Sequence, residues 1–112
     1  MNWINMVHLK ELDAIKEKSA EIPQVIFKHS SACGTSHHIK EMLDQAVVPR
    51  EIDFNFLDLL EYRDISAAIA IEFKVKHESP QLLLIRKGKC IYHKSHYGIR
   101  MERLQSALQE MD

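Results

Sequence analysis

The chain reads as one α/β domain built on a mixed sheet of four to five strands with helices on both faces. Apolar runs of strand length alternate with stripes at helical spacing through most of the sequence. Near the C-terminus two runs follow one another with only Lys87-Gly88 between them, which demands an antiparallel hairpin. Finally, 112 residues suffice to bury one core without disulfides or metal and are too few for two ordinary domains. The whole chain, residues 1–112, is therefore expected to form a single unit.

Trp3 and Ile4 suggest a short leading strand. Val7, Leu9, Leu12 and Ile15, interleaved with Lys10, Glu11, Lys16 and Glu17, predict a first helix that Pro23 closes off. Gln24-Val25-Ile26-Phe27-Lys28 is the first clear strand. A second helix begins near Thr35 or Ser36, either of which can cap it, and presents Ile39, Met42, Leu43 and Ala46 on one face. Pro49 marks its exit, and Ile52, Phe54 and Phe56 alternate with polar residues as a further strand. From Tyr62 the spacing of Ile65, Ala68, Ile69 and Phe73 is helical again, with Asp64 or Ser66 as candidate caps. Leu82-Leu83-Leu84-Ile85 is apolar throughout, as a central strand would be, and the turn leads into Cys90-Ile91-Tyr92-His93. Ile99, Leu104, Leu108 and Met111 predict a closing helix. Strands joined through helices should pair in parallel, whereas the terminal hairpin is antiparallel, so the sheet is mixed.

The 15 Lys and Arg nearly balance 16 Asp and Glu, and the charges are scattered, which argues against a nucleic-acid or anionic-membrane surface. No leader and no apolar stretch of bilayer-spanning length is visible, so a cytoplasmic location is the expectation. With two cysteines, Cys33 and Cys90, a secreted disulfide framework is not expected and both should rest as thiols. The chemistry concentrates at Cys33. It lies in Ser31-Ala32-Cys33-Gly34-Thr35-Ser36, between a strand and a helix, where unpaired backbone N–H groups and the helix dipole favour a thiolate. Such a junction lies at the sheet edge where ligands enter. Ser36 stands where a C-x-x-C motif would carry its second cysteine, so the site reads as a monothiol. Ser36 either donates a hydrogen bond to the thiolate or simply caps the helix. Lys28 and His29 are candidates for positive potential near the thiol. Cys90, on a strand after a turn, reads as a structural side chain. Seven histidines raise the question of metal; Cys33 and His37 are at helical spacing, but Cys90 and His93 should point to opposite strand faces, and no metal site is expected.

Element order, the placement of Cys33 and Ser79-Pro80 before the hairpin resemble a thioredoxin-like protein. More narrowly, Phe27-Lys28-His29-Ser30-Ser31-Ala32-Cys33, Tyr62-Arg63-Asp64-Ile65-Ser66 and His77-Glu78-Ser79-Pro80-Gln81 resemble the monothiol bacilliredoxin family across nearly the whole chain. That resemblance implies an oxidoreductase with Cys33 as nucleophile, which removes bacillithiol from mixed disulfides on client proteins. It also implies a cis bond at Pro80 and substrate contacts from Gly34, Thr35, Ser36, Ser79 and Pro80, with bacillithiol as co-substrate and no tightly bound cofactor. A monomer or weak dimer is expected. The family pattern around the cysteine is Thr-Cys-Pro-Ile-Ser, whereas here Gly34 and Thr35 follow Cys33. That departure leans towards the Cys-Gly-Phe-Ser of monothiol glutaredoxins and keeps two alternatives open, an iron–sulfur cluster carrier and a non-enzymatic stress adaptor.

Overall fold

The computed structural model describes residues 1–48 and 50–111, with the side chain of Met111 set aside. The exit assigned to Pro49 and the core position assigned to Met111 therefore lie outside what is described. In chain order the elements are β1 (Trp3–Asn5), α1 (Glu11–Lys18), β2 (Gln24–His29), α2 (Gly34–Gln45), β3 (Asp53–Asp58), α3 (Arg63–Phe73), β4 (Gln81–Arg86), β5 (Lys89–Ser95) and α4 (Met101–Met111), with a 3-10 turn at His96–Gly98. The sheet has five strands in the order β1-β3-β2-β4-β5. β1, β3 and β2 run parallel, while β4 is antiparallel to both β2 and β5.

Strand alternation divides the core into two layers. Ile26, Leu57, Leu83 and Ile85 pack against Leu12 and Ile15 of α1 and Ile65, Ile69 and Phe73 of α3. On the other face Val25, Phe27, Phe54, Leu82 and Leu84 meet Ile39 and Leu43 of α2 and Leu104 and Leu108 of α4. β2 is buried at every position because it lies mid-sheet with helices above and below. The Lys87-Gly88 turn takes positive φ at both residues, 52° and 77°, as a two-residue hairpin with the sheet's twist requires.

Four boundaries differ from expectation. α1 starts at Glu11, and Val7 and Leu9 precede it with exposed side chains, since the Glu11 carboxylate accepts the N–H groups of Val7 and His8 and holds that segment as a lead-in turn. α2 starts at Gly34 with Cys33 as its N-cap, so neither Thr35 nor Ser36 caps it. α3 starts at Arg63, which leaves Asp64 and the buried Ser66 inside the helix. In the hairpin a bulge at Leu84/Ile85 shifts the register, so that Cys90 pairs with Ile85 and His93 with Leu83. Both partners belong to the α1/α3 layer. Cys90 and His93 therefore share a face, where simple alternation placed them on opposite ones. Among the described residues no helix is long and apolar enough to cross a membrane.

Candidate active site

The C-terminal ends of β2 and β3 and the start of β4 meet at one edge of the sheet. Lys28 pairs with Leu57 on one side and Gln81 on the other, so the next step along β2 puts His29 beside Pro80. Pro80 is buried, its bond to Ser79 is cis, and its carbonyl accepts the N–H of His96 at 3.0 Å. The chain leaves β2 at this edge through Ser30-Ser31-Ala32 and enters α2 at Cys33.

This loop is pinned from beneath. Ser36, fully buried in the first turn of α2, accepts the N–H of Ser30 at 3.1 Å and lies 2.7 Å from Nδ1 of His29. The Ser36 hydroxyl has one proton and two lone pairs, so after accepting from Ser30 it still pairs with Nδ1 of His29. Burial, followed by the nearby His37, lowers the pKa of His29 and favours the neutral ring. Nε2 of His37 lies 2.9 Å from the Ser31 carbonyl, and the His29 and His37 rings meet edge to face at 4.8 Å. The backbone closes the loop with Cys33 N–H to Ser30 C=O and His37 N–H to Cys33 C=O.

Cys33 itself is half-buried, a free thiol, with extended backbone geometry and no side-chain capping bond. No acidic residue occupies the first turn of α2. The N-terminal amides of the helix are therefore free of a side-chain cap, and the dipole's positive end lies at the residue that carries the thiol. Gly34 is exposed, and a Cβ added there would meet no atom within 4 Å, which leaves room for an incoming chain beside the thiol. Thr35 is partly exposed.

Ser36 requires a correction. It was expected to contact substrate, or to bond the thiolate or cap the helix, but its hydroxyl is turned under α2 and committed to His29 and Ser30. Its work is to hold the loop that carries Cys33. Ser36→Ala leaves two buried partners without a hydrogen bond, so a loss of about 1–3 kcal/mol in stability is expected in urea denaturation. A change under about 0.5 kcal/mol would contradict this role.

Lys28 and His29, two candidates for positive potential at the thiol, part company. His29 faces α2 beneath the Cys33 loop. Lys28 faces α3, where its Nζ donates to the Ser66 carbonyl at 3.1 Å and lies 3.3 Å from Nδ1 of His77. Ser79 keeps a buried hydroxyl without a hydrogen-bond partner, at the same edge as Cys33.

Cys90 is remote. It pairs with Ile85, itself opposite Gln24 at the start of β2, whereas Cys33 follows the end of that strand. The six residues of β2 span roughly 17 Å, against the ~7 Å that a disulfide allows between Cα atoms. Cys90 packs against the α1/α3 core layer, its Sγ lies 3.4 Å from the Tyr92 carbonyl, and burial raises its pKa. Among the described residues no group of three or more His, Cys, Asp or Glu could hold a metal ion.

A thiol at a helix N-cap and a cis-proline thus lie at the same end of the sheet. The family model of monothiol bacilliredoxin BrxC matches residues 4–104. The chain belongs to the monothiol bacilliredoxin family. Among solved structures, a protein described as a candidate oxidoreductase with a thioredoxin fold superposes with a TM-score of 0.84 at 25% identity, over 95% of this chain and 93% of that one. Thioredoxin from Trypanosoma brucei brucei gives 0.74 at 18% identity, covering 98% and 90% of the two chains. Thioredoxin from Fasciola hepatica gives 0.68 at 16%, covering both chains completely. The last two share the fold. This bacilliredoxin is thus a thioredoxin-fold protein with a five-stranded mixed sheet.

Of the residues expected at the site, Cys33, Gly34, Thr35, Ser79 and Pro80 lie at one end of the sheet. Ser30, Ser31 and His37 join the site through the hydrogen bonds that pin the loop, a role that the sequence pattern of His37 as a metal-ligand candidate does not indicate. The signal was present: Ser36 and His37 lie one turn into a helix that starts shortly after Ser30, within reach of the loop's own backbone.

Proposed function

We propose that this bacilliredoxin removes bacillithiol from mixed disulfides on client proteins, with Cys33 as the nucleophile. The observation that carries this reading is the half-buried, uncapped thiol of Cys33 at the start of α2, on a pinned loop, with serine rather than cysteine at position 36. The Cys33 thiolate attacks the bacillithiol sulfur of the client disulfide. That S–S bond breaks as the new one forms, and the client thiolate leaves with the electron pair and takes a proton from solvent. Bacillithiol now sits on Cys33. With no thiol at position 36 and Cys90 a strand's length away, a second bacillithiol must attack the bound one, releasing bacillithiol disulfide and restoring the Cys33 thiolate. Gly34, Thr35, Ser79 and Pro80 form the rim that the client chain crosses, with the Ser79 backbone as its hydrogen-bonding edge. In this reading the protein works in the cytoplasm as a monomer or weak dimer, without a tightly bound cofactor.

One client protein loaded with either bacillithiol or glutathione provides the test. Wild type is expected to release bacillithiol about tenfold faster, a preference that needs only about 1.4 kcal/mol. Cys33→Ala and Cys33→Ser are expected to release neither. Equal rates for the two thiols would reduce the protein to a general monothiol oxidoreductase, and release that persists in the variants would refute the nucleophile. Visible absorbance in protein purified without air would instead favour a cluster carrier.

A further inference from the structure

On the α1/α3 side of the sheet a cavity of about 290 Å³ is lined by Leu59, Arg63, Ser66, Ala67 and His77. It lies at the same end of the strands as Cys33, on the opposite face of the sheet from α2. Arg63 begins α3 just beyond the end of β3, and His77 stands shortly ahead of the cis-proline that precedes β4. Behind the cavity lies Lys28, with none of its surface exposed, and both groups that its Nζ meets, the Ser66 carbonyl and His77 Nδ1, belong to cavity residues.

The charge balance of this cluster is incomplete. An ammonium has three donors, and those two partners occupy two of them. Neither Lys28 nor Arg63 has an ion-pair partner among the described residues. The neighbouring acids, Asp64 and Glu78, are both exposed. A buried cation without a carboxylate is a costly arrangement that an anion entering from the cavity would relieve. The planar fork of Arg63 suits a carboxylate, and Leu59 and Ala67 provide an apolar wall for the carbon skeleton attached to it.

We propose that this cavity binds a carboxylate of the small thiol whose mixed disulfide Cys33 resolves, with Arg63 as the direct partner, His77 as an auxiliary donor and the buried Lys28, one layer behind the lining, adding positive potential. The assignment rests on the proposed function, and it gives the substrate's acid group a place while its sulfur is at Cys33. Preference among small thiols then follows from where the acid group lies relative to the sulfur.

The test compares one client loaded with bacillithiol, which carries carboxylates, or with cysteamine, which has none. In Arg63→Ala the ratio of bacillithiol to cysteamine release is expected to fall about tenfold, through KM, the size expected for loss of one charge-assisted hydrogen bond. In Lys28→Met, which removes a charge behind the lining and no contact, it is expected to fall by a smaller factor. An unchanged ratio with an active wild type overturns the carboxylate site and leaves the proposed function standing. A second measurement does not depend on catalysis. Succinate, titrated into wild type and followed by NMR, is expected to shift the Arg63 and His77 side-chain signals saturably, whereas succinamide does not, and Arg63→Ala is expected to abolish the His77 shift. Saturable succinate binding in a protein that releases neither thiol would keep the anion site and remove the proposed function; absence of any saturable shift would overturn the site.

Discussion

Lys28→Met is expected to make the folded protein more stable by about 1–3 kcal/mol at pH 7, raising Tm by roughly 4–12 °C. The lysine is wholly buried on the central strand, and burial alone lowers its pKa from 10.5 to about 8, with no carboxylate offsetting the cost. Methionine fills similar volume without a charge. The pH dependence has a definite sign. Below about 8 both folded and unfolded chains hold the proton, so the penalty is constant; between about 8 and 10.5 the unfolded chain holds it and the folded one has released it. Wild-type stability therefore rises with pH across that window relative to the variant, and the gap closes. Urea denaturation of both proteins at about pH 7 and about pH 10 measures this. Parallel pH profiles, or a variant less stable by more than about 1 kcal/mol at neutral pH, would contradict it. A lysine that lowers stability from directly behind the Ser66 and His77 lining of that cavity is the kind of cost that function retains.

Ser36→Cys is expected to change what accumulates on oxidation. Position 36 is buried in the first turn of α2, at helical spacing from Cys33, and such pairs lie roughly 5–6 Å apart at Cβ, close enough for a small backbone adjustment to join them. Wild type, treated with the mixed disulfide, should gain the mass of the small thiol. The variant should instead expel that thiol by attack of its introduced sulfur on the Cys33 adduct, and lose two hydrogens. Persistence of a full adduct on the variant, with no bridge between Cys33 and the introduced thiol, would show that position 36 cannot serve as a resolving position.

The sheet was legible because its strands carry their own evidence. Leu82-Leu83-Leu84-Ile85 is apolar at every position, which only a strand covered on both faces requires, and Lys87-Gly88 dictates the hairpin that follows. Cys33 was legible for a similar reason, since its polar, small neighbours suit a junction and not a core. The roles of Lys28, His29 and Ser36 were not. A charged residue near a strand end is usually solvated, and only the pairing of β2 between β3 and β4 shows that Lys28 is mid-sheet and that successive residues face opposite layers. Ser36 was read against a sulfur next to it in the motif, but its partners come from the loop before the cysteine. The shifted face of Cys90 depends on a bulge in its own strand, where Ile91 is the extra residue between the pairs Ile85–Cys90 and Leu84–Tyr92, and no glycine or proline marks it in Cys90-Ile91-Tyr92.

The central claim is that Cys33 takes the small thiol from the client and holds it. Acid-quenched mass spectrometry of wild type, mixed in equal amount with a bacillithiolated client and mapped by peptide, tests that most directly. The account predicts a bacillithiol adduct on the Cys33 peptide, an unmodified Cys90 peptide and a free client thiol. Bacillithiol on Cys90, a Cys33–Cys90 bridge, or a client that keeps its bacillithiol while Cys33 stays unmodified would contradict it.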